Sequence, residues 1–353
     1  MSAAYPLTAE FELLARPRPV RIAVVIPCYR AVGSIERVVG AIGASVWRIY
    51  CVDDASPDDT GAAIGRAAAS DPRVTALRRD ANGGVGAAVV DGFRAALADG
   101  AEVIVKIDSD GQMAPALIPD FVAPILSGEA DYVKGNRFFS LDGIGRMPSA
   151  RIVGNAGLSF LTKLSTGYWD LFDPANGYVA IHAEVVRLLP LDRLHRRYFF
   201  ESDMLFRLAT LRARVIELPI EPVYHDERSH LSELRCLATF PFLHMRNFAK
   251  RLFYNYFLRN FSAASLSILA GAVFFAFGVI FGAASWLHSL DTGDPATAGT
   301  VMLSALPLIV GIQLLLNFLA QDVALAPSSA IHHRLTSKRV LRARETFSER
   351  DQS

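Results

Sequence analysis

Apolar residues in this chain come in short runs first and long runs later. Arg21–Pro27 reads RIAVVIP, Val46–Val52 reads VWRIYCV, and Ala101–Ile107 reads AEVIVKI. Short apolar runs bounded by turn residues predict buried strands, and Val74–Arg78 predicts a further one. Between them the apolar positions recur at helical spacing. Helices are expected over Ser34–Gly43 with Ser34 as N-cap, over Asp59–Ala69 with Ser56 as cap, and over Gly84–Ala98. Nearly all-apolar strands alternating with helices predict a parallel sheet covered on both faces. The pattern then loosens. Asp131–Asn136 reads as a short strand and turn, Ser149–Thr166 as a helix and Gly177–His182 as a strand. Ser202–Leu211 reads as a helix capped by Ser202, and Val215–Pro219 as a last strand.

The long runs follow. No Lys, Arg, Asp or Glu occurs from Asn260 to Leu290, nor from Pro295 to Gln321. Each stretch exceeds the roughly 20 apolar residues that cross a bilayer, so two transmembrane helices are expected. Just before them Met245, Phe248, Ala249, Leu252, Phe253 and Tyr256 recur at helical spacing, with Arg246, Lys250 and Arg251 on other faces. This predicts an amphipathic helix lying in the lipid interface. Arg246, Lys250, Arg251 and Arg259 precede the first span. His332, His333, Arg334, Lys338, Arg339, Arg342 and Arg344 follow the second, while the loop between holds Asp291 and Asp294. The excess of basic residues on the flanks predicts that the long N-terminal segment and both termini lie in the cytoplasm, at an inner cell membrane. Gly278-x-x-x-Gly282 permits close helix approach, to the second span or to another chain, so a homo-oligomer stays open. Asp322, past the second run, reads as interfacial. The expected organisation is an arm over 1–20, an α/β domain over 21–232, the interfacial helix over 233–259, two spans within 260–326 and a basic tail over 327–353.

Composition agrees with this division. The chain is 52% hydrophobic across 353 residues, and the excess lies in the long runs. A net charge of +1 gives no nucleic-acid footprint. No basic-then-apolar leader pattern opens the sequence, so the first segment is expected to stay in the cytoplasm. Cys28, Cys51 and Cys236 are then expected to be reduced and structural.

Chemistry gathers at the strand ends. Pro27, Asp53-Asp54 and Asp108-Ser109-Asp110 all follow predicted strands, and ligands of open α/β sheets bind beyond those ends. Two carboxylates one residue apart repel each other, and a divalent cation relieves the repulsion. Hard oxygen ligands suit Mg²⁺ or Mn²⁺, with Gln112 as a neutral third oxygen. The competing reading is an Asx-turn with solvated aspartates. A metal on Asp108 and Asp110 would stabilise a leaving diphosphate, while Asp53 and Asp54 could accept hydrogen bonds from a nucleoside. A local turn or cap role is the alternative for Asp54. Gly84-x-Gly86 lacks the third glycine of a dinucleotide fingerprint and does not follow the first strand, so NAD is excluded.

These motifs stand in a recognisable order. Val24-Val25-Ile26-Pro27-Cys28-Tyr29, the Asp53–Thr60 segment DDASPDDT, and Asn82, Gly84, Gly86 and Gly92 are followed by Asp108-Ser109-Asp110-Gly111-Gln112. Then come Gly135-Asn136-Arg137, Asp173 with Asn176-Gly177-Tyr178, and Glu201-Ser202-Asp203. Over about residues 20–235 the chain resembles family 2 glycosyltransferases of GT-A fold, and within them the membrane-anchored polyprenyl-phosphate sugar transferases. The resemblance implies a Rossmann-like, mostly parallel α/β sheet. It also implies a nucleotide-diphosphate sugar donor touching Pro27, Tyr29, Asp53, Asp54, Asp108 and Asp110, and a metal on Asp108, Asp110 and Gln112. Asp203 stands where the family has a candidate base. Arg137 and Arg228 are placed to hold a phosphate or the acceptor. The usual P-x-Y-N-E opening reads Pro27-Cys28-Tyr29-Arg30-Ala31, which removes two expected nucleotide contacts and offers Arg30 to a phosphate instead. The expected activity is inverting sugar transfer to a polyprenyl phosphate or lipid-linked glycan at the membrane. The alternative is a non-catalytic scaffold of an envelope-polysaccharide assembly that retains a nucleotide-sugar domain. A transporter is a third reading, for which two spans leave little room.

Overall fold

The computed structural model describes residues 19–139, 149–221 and 233–335. Seven strands form one sheet: β1 (Ile22–Cys28), β2 (Arg48–Asp53), β3 (Val74–Arg78), β4 (Val103–Lys106), β5 (Tyr132–Asn136), β6 (Val179–His182) and β7 (Val215–Pro219). Their order across the sheet is β3-β2-β1-β4-β6-β5-β7. The helices are α1 (Ile35–Gly40), α2 (Thr60–Ser70), α3 (Val85–Ala98), α4 (Ile118–Leu126), α5 (Ser149–Thr166), α6 (Ala183–Leu188), α7 (Phe200–Leu211), α8 (Glu233–Leu252), α9 (Ala263–Thr292) and α10 (Ala298–Ala324).

The sheet is mostly parallel, as expected, with one strand reversed. β6 runs antiparallel to both β4 and β5, while β5 and β7 are parallel. A four-residue apolar run encodes burial on both faces but not direction. Both faces are indeed covered. Val24, Ile26 and Val105 pack under α1, α2 and α4, and Ala23, Val25 and Ile104 pack under α3, α6 and α7. Each such Val, Leu or Ile stabilises the fold by roughly 1.5–3 kcal/mol. Gly92 lets α3 approach β1, since a Cβ there would collide with the Val25 side chain.

Two caps differ from expectation. α2 starts at Thr60 with Asp59 as its cap, and Ser56 instead accepts a hydrogen bond from the Arg30 N–H at 3.2 Å. α7 starts at Phe200, so Ser202 and Asp203 lie inside its first turn. Acidic residues there are favoured by the helix dipole.

α8 continues into a π-helical segment, Phe253–Arg259, and its polarity is the reverse of an ordinary domain helix. His244, Asn247 and Arg251 face inward and are buried, while Phe242 is 71% and Met245 55% exposed. The inward polar stripe is stable because each member has a partner. His244 Nδ1 lies 2.8 Å from Ser165 Oγ, Asn247 donates to Asp203 and Arg251 donates to Asp322. Of the expected apolar stripe, Met245, Ala249 and Phe253 are exposed and Tyr256 is buried.

α9 and α10 form a hairpin of mean hydropathy 2.3 and 2.0 over their most apolar stretches, of which only 17% and 11% is buried. By length and composition both are able to cross a membrane. Their crossing is close at glycine. A Cβ on Gly278 would lie 2.8 Å from the Leu308 backbone nitrogen, and one on Gly282 would strike Ser304. The glycine pair therefore packs the two helices of one chain together. Asp322 is not a free interfacial residue. It lies within α10, is buried, and pairs with Arg251 at 2.6 Å, Trp169 at 2.9 Å and Tyr256.

Candidate active site

β1, β2 and β4 are mutually parallel, so their last residues share one rim. Cys28 sits beside Asp53 in register, and Lys106 ends β4 just before Asp108. Pro27 is buried in β1, whereas Tyr29 is 45% exposed beyond it. The Arg30 guanidinium lies 5.5 Å from the Tyr29 ring, and Arg30 has a left-handed backbone. That bend is held by two hydroxyls of the neighbouring loop, Ser56 on the Arg30 N–H and Thr60 on the Ala31 N–H at 2.8 Å.

The two aspartates after β2 have different surroundings. Asp53 Oδ1 closes an Asx-turn by accepting from the Ser56 N–H at 2.9 Å. Its Oδ2 is buried without a hydrogen-bond partner, with the exposed Arg78 guanidinium approaching only to 3.9 Å. A buried carboxylate oxygen in that state awaits a donor. Asp54 is turned to the protein. It accepts from Arg79 at 2.7 Å, from the Gly83 N–H at 2.9 Å and from the Gly84 N–H at 2.7 Å. The structure thus brings Asp54 to the glycine-rich loop, whose shape it fixes, and the local turn falls to Asp53.

A tight turn at Gly111, which has φ +77, follows Asp108 and Asp110. Asp110 Oδ1 accepts from the Gln112 N–H at 2.9 Å, an Asx-turn inside the carboxylate pair. Asp108 Oδ1 accepts from Lys106 at 2.7 Å. The other Asp108 oxygen faces Gly177, where a Cβ would stand 2.7 Å away and would also meet the Lys106 ammonium. Glycine therefore lets the Asp108 carboxylate and the Lys106 ammonium pack directly against this backbone. Among the described residues no three or more His, Cys, Asp or Glu side chains converge on a metal position. Two hard carboxylates one residue apart are a donor set that fits a divalent ion sharing its remaining positions with a substrate's oxygens.

Lys106 was not singled out by the sequence. It is fully buried, and its ammonium also reaches Glu201 at 3.5 Å. Burial depresses its pKa, but Asp108 and Glu201 more than reverse this and hold it above its ordinary value. Lys134 sits in the matching row of β5, both lysines registering with Val179 of β6. It donates to the Asn176 carbonyl, and burial pulls its pKa down to about 8 against the opposing pull of Asp173, Glu201 and Glu217. The only sequence signal for either was a lysine inside an otherwise apolar strand.

Asp203 and Glu201 separate on α7. Asp203 is buried and accepts from the His195 N–H at 3.0 Å, Arg207 at 3.1 Å and Asn247 at 3.3 Å. Glu201, two residues earlier, is the carboxylate directed at Lys106. Arg137 lies bidentate on Asp173, at 2.8 and 3.0 Å. Burial raises the Asp173 pKa, but Arg137 outweighs it and the group lies below the usual carboxylate range. Arg228, with His225 and His230, falls outside the described residues.

A mostly parallel sheet with an antiparallel insert, a carboxylate with an unpartnered oxygen at the end of β2 and a carboxylate pair after β4 is the layout of a GT-A glycosyltransferase. Residues 23–189 match the family Glycosyl transferase family 2. The chain is 34% identical over 203 residues to an undecaprenyl-phosphate mannosyltransferase of Micrococcus luteus, covering 57% of this chain and 82% of that one. It is 30% identical over 218 residues to a UDP-N-acetylglucosamine–dolichyl-phosphate N-acetylglucosaminyltransferase of Methanococcus voltae, covering 58% and 86%. A solved glucosyl-3-phosphoglycerate synthase of Mycobacterium tuberculosis, holding Mn²⁺ and UDP, shares the fold at TM-score 0.50 and 20% identity, over 71% of this chain and 86% of that one. The chain belongs to glycosyl transferase family 2.

Proposed function

We propose that the protein is a membrane-anchored, inverting sugar transferase. It takes a sugar from a nucleotide-diphosphate donor and passes it to a polyprenyl phosphate at the cytoplasmic face of the membrane. The observation that carries this reading is the shared rim of Asp53, Asp108 and Asp110 in a chain that also holds two helices able to span a bilayer. The relatives named for undecaprenyl and dolichyl phosphate support the acceptor class. The intact carboxylates argue against the non-catalytic scaffold.

In this reading Asp53 Oδ2 accepts a hydrogen bond from the donor's nucleoside, and Tyr29 and Pro27 shape the mouth beside it. Asp108 and Asp110, with Gln112 next to them, hold Mg²⁺ or Mn²⁺. The ion, when bound, supplies Lewis-acid stabilisation of the leaving diphosphate. Lys106 adds a fixed ammonium that orients Asp108. An acceptor phosphate oxygen attacks the anomeric carbon, the bond to the nucleoside diphosphate breaks, and the electron pair leaves with the diphosphate. A phosphate acceptor is already anionic, so no base is required, and Asp203 serves to position α7 and the His195 loop. Arg137 and Arg228 would meet the incoming phosphate.

The test is a screen of nucleotide-sugar donors with purified membranes, with and without chelator, followed by mass analysis of the lipid fraction. A glycosylated polyprenyl phosphate that forms only with a divalent ion supports the proposal. Transfer that ignores the chelator overturns the metal assignment. No lipid product from any donor overturns the reading as a whole.

A further inference from the structure

The strands end at the rim just described, and the opposite rim carries a second polar site. There the α9–α10 hairpin meets the domain around a crevice of about 330 Å³ lined by Arg212, Arg251, Asn255, Tyr256, Arg259 and Asp322, among others. Three guanidiniums face one carboxylate. Arg251 and Asp322 are committed to each other at 2.6 and 3.0 Å, and both are buried. That leaves the charges of Arg212 and Arg259. Arg212 donates to the Leu325 carbonyl at 3.1 Å and Arg259 to the Thr210 carbonyl at 2.8 Å. A carbonyl accepts a hydrogen bond but does not neutralise a cation. Two buried atoms on the same wall lack any partner, Arg251 Nε and Asn255 Oδ1. Arg251 as a whole is only 2% exposed, and it lines the crevice with this N–H unpaired.

The backbone supports the same conclusion. Arg212 follows α7 with φ +60, a left-handed position that normally falls to glycine. A side chain there is strained, which is tolerated where the side chain is used.

We propose that this crevice binds the phosphate headgroup of an anionic lipid. Arg212 and Arg259 supply the charge, the Arg251 Nε–H donates to a phosphate oxygen, and Asn255 accepts from a headgroup hydroxyl. The site is separate from the sugar-transfer centre. Arg212 lies before the start of β7 and Asp108 after the end of β4, and these strands run the same way across the sheet. A five-residue strand separates the two rims by roughly 17 Å. The inference rests on reading α9 and α10 as membrane spans.

The experiment uses the full-length protein in nanodiscs of phosphatidylcholine alone or mixed with phosphatidylglycerol. Lipids retained after release are counted by native mass spectrometry. The variant combines Arg212→Gly, which relieves the left-handed strain, with Arg259→Gln. Wild type is expected to retain phosphatidylglycerol over phosphatidylcholine and to melt higher in the mixed discs. The variant should lose that preference by roughly tenfold, the scale of one or two basic side chains at an anionic surface. Equal preference in variant and wild type would overturn the site. Displacement of the retained lipid by inorganic phosphate would mark it as a soluble-anion site instead. Failure of both proteins to enter any nanodisc would overturn the membrane reading itself, a result distinct from loss of lipid preference.

Discussion

The ammonium of Lys106 lies 2.7 Å from Asp108 Oδ1, so a protein cation already sits against the first carboxylate of the pair proposed to hold the metal. A second cation bound to Asp108 is repelled by it at close range. Lys106→Met is therefore expected to bind Mn²⁺ about tenfold more tightly in the absence of nucleotide. Turnover should fall by roughly 10²-fold or more, because the fixed ammonium that orients Asp108 is lost. Lys106→Arg should recover part of the turnover. Calorimetric titration with Mn²⁺ and initial rates with donor check both, and unchanged Mn²⁺ affinity in Lys106→Met would refute the competition.

Gly177 has no room for a methyl group, since its Cβ would stand 2.7 Å from Asp108 Oδ2. Overpacking of this kind costs about 1–3 kcal/mol when the neighbours must move. Here the movable neighbours are the Asp108 and Lys106 side chains. Gly177→Ala should fold, with a thermal midpoint within several degrees of wild type, yet lose at least roughly tenfold in turnover. A fully active Gly177→Ala protein would show that Asp108 does not need its present position.

Asp203 holds the His195 backbone, Arg207 and Asn247 together. Asp203→Ala leaves these buried donors without an acceptor and is expected to cost about 3 kcal/mol of stability. Asp203→Asn keeps one acceptor oxygen and should cost less. With a phosphate acceptor its turnover stays within roughly tenfold of wild type. A loss beyond about 10²-fold with donor binding intact would identify Asp203 as a general base and the acceptor as a hydroxyl.

Lys134 gives the fold a pH dependence of defined sign. Its native pKa of about 8 is below the 10.5 of a solvated lysine. Between those values the unfolded chain binds the extra proton, so this group makes stability rise with pH across that window. Below pH 8 both states are protonated and the burial penalty, about 3 kcal/mol, is fully present. Lys134→Met should be more stable than wild type at neutral pH, and the difference should shrink toward pH 10. Urea unfolding in detergent at several pH values measures this. A constant difference would mean the lysine is not depressed.

The strand ends were legible because the signals are local. Pro27, Asp53 and Asp108 each follow an apolar run and precede turn residues, and a parallel topology puts such ends on one rim. What escaped depends on pairing between distant segments. Lys106 and Lys134 look like interruptions of apolar strands until Glu201 and the Asn176 carbonyl are brought to them. The direction of β6 is absent from its four residues. Helical spacing found a stripe in α8 but not which face is covered, since that depends on partners such as Ser165 and Asp203. Asp322 was read as outside the span because a hydropathy run ends at the first charge, although the helix continues through it to reach Arg251.

The hairpin is fastened to the domain at both of its ends. On the way in, Arg259 holds the π-helical segment to the Thr210 carbonyl of α7. On the way out, Asp131 at the foot of β5 accepts from the Ile331 and His332 backbone N–H groups at 2.9 Å. A domain on a single tether would tumble over the bilayer and meet its acceptor at any height. Two moorings would set one elevation and tilt if α9 and α10 span the bilayer, with the apolar side of α8 turned outward. With the proposed spans in a bilayer the protein would work as a depth gauge, and a lipid-borne phosphate would reach Asp108 only if its headgroup rose to that one level.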